Sequence, residues 1–222
     1  ETTMRGDTDR LIEQLAAQAR PVRPLAPPLL RTLAWCGAVV AIALVLVALM
    51  GWRGAPPEDF ALPGGRWSWW GSVAAGLLAA YAVFQVSVPG RSPAWAWLPV
   101  PAAAAWFAGM GWGCLAQLRA DGGVALGLGS WHCALAITLV STPMLLVMLL
   151  MVRHAGVVRP VATAVLAMLS AAGLSSAAVS LVHGHESALL TLAWHGGVVV
   201  LLCAAAWISG RPLLAWIGYA RR

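Results

Sequence analysis

Charge is what this chain has least of. Only 10% of its 222 residues are charged, against 60% hydrophobic residues and a mean hydropathy of +0.79. Too little polar surface is present to cover so large an apolar fraction in water, which excludes an ordinary soluble globule. Ionisable residues are nearly absent from the long apolar runs, so a proton- or ion-coupled transporter would lack the intramembrane carboxylates such chemistry uses. Lysine is missing altogether, all fourteen basic residues being arginine. No basic patch with interleaved aromatics occurs, and the net charge of +6 needs no nucleic-acid partner to explain it. The chain also has no P-loop, dinucleotide fingerprint, nucleophile elbow or HExxH motif. Cysteine is scarce, and Cys36, Cys114 and Cys203 fall in or near apolar runs, where a thiol packs as a small apolar group. A cleavable signal peptide is not expected, because about thirty polar or proline-rich residues precede the first apolar run.

The apolar runs themselves are long. Crossing the hydrocarbon takes about 20 residues at 1.5 Å each, and six windows qualify: Leu33 to Met50, Trp67 to Val88, Trp95 to Leu118, Trp131 to Val152, Val157 to Val182 and Ala188 to Ile208. The third is interrupted by Pro99, Pro101 and three glycines, which neighbouring helices can tolerate. The predicted fold class is therefore all-α: a polytopic membrane protein whose residues 32–210 form a bundle of six transmembrane helices, behind a short amphipathic helix and spacer at 1–31 and ahead of a basic tail at 211–222. Both termini on the cytoplasmic side would place eleven arginines inside and only Arg53, Arg66 and Arg119 outside. The reverse orientation would violate the positive-inside rule. Tryptophans such as Trp67, Trp95 and Trp131 near span ends fit an interfacial belt in the lipid bilayer.

Ahead of the first span, Asp7 to Arg20 has helical periodicity. Leu11, Ile12, Leu15 and Ala19 fall on one face, and Asp7 or Thr8 can cap it. A helix of about three turns is marginal alone in water, so something should cover that face: the membrane surface or cytoplasmic loops, or the groove of a soluble partner with Leu11, Ile12 and Leu15 as knobs. Its polar face is mixed in charge, which argues mildly against simple lipid attachment. Pro21 ends the helix, and the proline-rich stretch to Pro28 reads as a semi-rigid spacer.

Two span mouths carry the residues with chemistry. His132 and Cys133 open the fourth span, and His183, His185 and Glu186 precede the sixth. With the six-span topology both groups lie on the outer face. Thiolate and imidazole prefer zinc or copper to magnesium or calcium, and a thiol beside an imidazole is a candidate for oxidant chemistry. Nothing in the spacing demands convergence, and ordinary interfacial polar residues remain the alternative. His195 lies deeper in the sixth span, either as a buried imidazole bonded to a neighbouring helix or as a deeper ligand or proton acceptor. Pro143 should kink the fourth span below Cys133.

The amino-terminal helix, the Pro21-Val22-Arg23-Pro24-Leu25 spacer, six spans, Ser130-Trp131-His132-Cys133, and His183 followed by Trp194-His195-Gly196 together resemble the NrsF family of bacterial membrane anti-sigma factors. The resemblance implies a protein that holds an extracytoplasmic-function sigma factor at the inner membrane through Asp7 to Arg20 and releases it under stress. It also implies that outer-face thiols sense oxidant or heavy metal, with Cys133 matching one of the family's two cysteines. The second is expected directly after His183, where this chain has Gly184. That departure argues against a disulfide switch, and His185 can instead complete a metal site with Cys133 and His183. From other classes, a membrane oxidoreductase or haem or metal protein would use Cys133 and the histidines, and a small transporter would use His195.

Overall fold

The computed structural model describes residues 2–18, 24–51, 62–121, 131–182 and 188–217. Among the described residues every regular element is helical: α1 (Thr2–Gln18), α2 (Pro28–Met50), α3 (Gly65–Val86), α4 (Val100–Asp121), α5 (Trp131–Val152), α6 (Pro160–Val179) and α7 (Ala188–Ile217). Six helices, α2 to α7, are long and apolar enough to cross a membrane, which agrees with the all-α six-span expectation.

Proline decides where several of them begin. Pro28 and Pro160 occupy the first turns of α2 and α6, where a missing N–H costs nothing and the fixed φ is already helical. Pro99 and Pro101 likewise flank and open α4, after a 3₁₀ turn at Pro93–Trp97, instead of interrupting its middle. At the other end of the bundle α7 continues through Arg211 and Pro212 to Ile217, further than apolarity alone indicates.

The bundle is built around α3 and α6. Of their most apolar stretches 61% and 72% is buried, against 11% for α2 and 17% for α7. Small residues explain the difference, since they let helix backbones approach where lipid offers no hydrophobic drive. A Cβ added to Gly76 would lie 2.6 Å from Leu174 Cγ, and one at Gly173 would lie 3.0 Å from the Ser72 carbonyl oxygen. The α3–α4 seam is as close, a Cβ at Gly71 falling 2.7 Å from Trp106 Cα. Gly210 sets α7 against Ala164 and Val161 of α6 in the same way.

Consecutive spans alternate in direction, and contacts identify two ends. Gly64, Gly109, Gly113 and Ala188 meet at one, while Arg31, Phe84 and Met151 meet at the other. The spacer therefore enters at the end opposite Cys133. Facing outward from everything else, Leu11, Ile12 and Leu15 of α1 are 55%, 58% and 61% exposed. Ala19 lies outside the described residues.

Candidate functional site

A cavity of about 150 Å³ opens at the Cys133 end, far above the ~10–15 Å³ that one water needs. Five helices contribute to its wall: Ser68, Trp69 and Ser72 from α3, Trp106 and Met110 from α4, Cys133 from α5, Ser176 from α6 with Ser180 just after its end, and Thr191 and His195 from α7. Glycines shape its mouth. Gly64, at φ 78°, turns the chain into α3 in a conformation that side chains rarely adopt, and a Cβ at Gly109 would lie 2.5 Å from Ser68 N.

His195 sits in a π-helical turn, Leu192–Gly196, inserted near the start of α7. Such turns rotate the side chains after them relative to a regular helix and recur at functional sites. Here the imidazole is buried, and its Nδ1 lies 2.9 Å from Ser176 Oγ on α6. The hydroxyl engages one ring nitrogen, as donor or acceptor according to the tautomer. This is the hydrogen bond to a neighbouring helix that a buried histidine at this depth calls for. It comes with a place in the cavity wall as well.

Hydroxyls and an indole extend the polar lining. Trp69 Nε1 donates to Ser180 Oγ at 3.1 Å, Ser180 Oγ donates to the Ala177 carbonyl at 2.7 Å, and Ser72 Oγ donates to the Trp69 carbonyl at 2.7 Å. Nearby, the Ala188 amide donates to Gln117 Oε1 at 2.7 Å, tying the start of α7 to α4.

Cys133 is 1% exposed and faces this cavity from the first turn of α5. Its neighbour His132 is exposed, with its ring centroid 4.2 Å from that of Trp131. The structure thus joins Cys133 with His195 and directs His132 elsewhere. His183, His185 and Glu186 lie outside the described residues, although Ala188, directly after that segment, lines the cavity. Among the described residues no group of three or more His, Cys, Asp or Glu side chains is close enough to hold a metal ion. Cys133, His195 and the Met110 thioether are nevertheless soft or borderline donors in one wall. None of the four cysteines is in a disulfide.

Ser176, Trp69 and Met110 carry no mark of a site in the sequence, where Trp69 belongs to the tryptophans near span ends. Ser176 belongs to a run of small residues that reads as packing surface, and a methionine or tryptophan in an apolar span carries no local sign that it faces a cavity. The one available signal was Ser176 and Ser180, a helical turn apart near the end of a span.

No curated protein and no solved structure matches this chain. The family described as NrsF, negative regulator of sigma F, matches residues 15–216. That family is regulatory, and its match extends from the last residues of α1 to the end of α7. Matched over nearly its whole length, the chain belongs to the NrsF family of negative regulators of sigma F.

Proposed function

We propose that this protein is a membrane anti-sigma factor that sequesters an extracytoplasmic-function sigma factor through α1 and releases it when oxidant or heavy metal reaches the cavity around Cys133. The observation that carries the reading is the uncovered apolar stripe of α1, Leu11, Ile12 and Leu15, each more than half exposed. A short amphipathic helix whose apolar face is left exposed among the described residues suits a groove on a soluble partner, read at i, i+1 and i+4. The excess of arginine at the spacer end supports a cytoplasmic position for α1 and for both chain ends at the bacterial inner membrane.

On the opposite side the sensing chemistry belongs to Cys133. In this reading His183 and His185 join it around zinc or copper, with Glu186 and His195 as further donors near the mouth, while His132 faces away from Cys133. Gly184 leaves no partner thiol directly after His183, so metal capture or oxidation of a single thiol replaces a disulfide switch. Release then requires two bundle states with different affinity for the signal, because a ligand shifts an equilibrium only by its differential binding.

Co-purification with the host's sigma factors tests the assignment. The full chain should recover a sigma factor of the extracytoplasmic-function class. Deletion of residues 1–31 should abolish the recovery. Leu11→Asp should weaken it by roughly 10- to 100-fold, one buried leucine being worth about 1.5–3 kcal/mol. Equal recovery with and without residues 1–31 would sink the reading.

A further inference from the structure

The helix that leaves the amino-terminal spacer is held to the bundle at its first turns. Arg31, Thr32 and Trp35 are buried, at 7%, 9% and 0% exposure, whereas Val40, Leu44, Val45 and Leu49 further along α2 are 56–81% exposed. Trp35 Nε1 donates to Ser170 Oγ on α6 at 3.1 Å. Burying an arginine is costly unless its head group is satisfied. Here Arg31 Nη2 donates to the Met151 carbonyl at 2.8 Å, and the guanidinium carbon stands 4.4 Å from the centroid of the Phe84 ring.

Met151 is the penultimate residue of α5. Its carbonyl is one of the last four of the helix, which have no partner within it, and a cation there also meets the negative end of the helix dipole. Arg31 therefore caps α5. At the far end of the same helix, in its first turn, is Cys133 in the cavity wall. The two points are roughly 27 Å apart along the axis at 1.5 Å per residue. Between them lies Pro143, whose missing N–H removes a rung of the helix ladder and lets the halves tilt.

We propose that Arg31 is a clasp that joins the helix bearing Cys133 to the helix bearing the partner-binding segment, so that a change in the cavity draws the Met151 carbonyl away and loosens α2. This deepens the reading above and rests on it for the meaning of the two ends. A planar guanidinium suits the task because it can stack on a ring and donate in its own plane at once. Arg31 is a positioning residue. It does not line the cavity.

Hydrogen exchange of the full chain in detergent tests the clasp. With Cys36, Cys114 and Cys203 replaced by alanine, methyl methanethiosulfonate adds a methylthio group to the Cys133 sulfur and expels methanesulfinate. The modification is expected to speed exchange of residues 30–36 by roughly tenfold, the protection that one hydrogen bond to a charged group supplies. Arg31→Met should exchange fast there before modification and gain nothing from it. An unmodified rate at residues 30–36 after labelling, an undiminished response in Arg31→Met, or failure of Cys133 to react would each overturn the proposal. Protection of α6 reports folding. Where Arg31→Met loses it, Arg31→Gln, which is neutral and shorter, decides instead, a full response in that variant overturning the clasp. No sigma factor is used, so a rigid α2 rejects the clasp alone, and sigma-factor recovery that survives deletion of residues 1–31 rejects the functional reading alone.

Discussion

Each step along an α-helix turns a residue by about 100°, so neighbours in sequence meet different surroundings. His132 and Cys133 show the consequence: the imidazole lies exposed against Trp131 while the thiol is buried in the cavity wall. A metal site containing Cys133 must then draw its remaining donors from other helices or from the segment before α7. His195 is on the same wall but already engages Ser176 through Nδ1. From the proposed sensing role we expect protein purified without chelator to carry stoichiometric zinc or copper by elemental analysis. Joint Cys133→Ser and His185→Ala substitution should remove it, and metal retained by that double variant would reject these ligands.

At the scale of elements, the seams between helices depend on glycine. Gly71 of α3 has no room for a side chain, the obstacle being the Trp106 backbone, which cannot swing aside as a flexible side chain would. Gly111, on α4, has nothing within 4 Å of the position a Cβ would take. Gly71→Ala is therefore expected to destabilise the bundle by about 2 kcal/mol, as overpacking does. Gly111→Ala should leave stability unchanged or raise it by up to about 1 kcal/mol through helix preference. Reversible unfolding in mixed detergent measures both, and equal effects would contradict the close α3–α4 approach. Neither glycine is distinguishable from the other in the sequence, because both sit in the same kind of apolar run. Helix starts were more legible, since Trp131 to Val152 has the same limits in sequence and structure. At the start of α2 a proline in the first turn moves the limit, and at the end of α7 an apolar stretch continuing past Arg211 does.

For the whole molecule, alternation of six spans brings the start of α2 and the end of α7 to one end of the bundle, and the cavity to the other. The arginine distribution adds a direction to that axis. Reporter fusions at both termini should behave as cytoplasmic: fluorescent with green fluorescent protein and inactive with an alkaline phosphatase that needs export. Phosphatase activity at either terminus would reverse the axis and place α1 on the wrong side to meet a sigma factor. Composition by itself determined the class, because 60% hydrophobic residues in runs of about 20 can be buried only in lipid. Periodicity determined the apolar stripe of α1, a local property of residues a helical turn apart. Tertiary structure alone decided that Cys133 and His195 share a wall, that Ser176 meets the imidazole, and that Arg31 caps the helix of Cys133. Those pairings join residues 19 to 120 positions apart. They depend on which face each helix turns inward, and in a span that is apolar all round no sequence pattern marks that face.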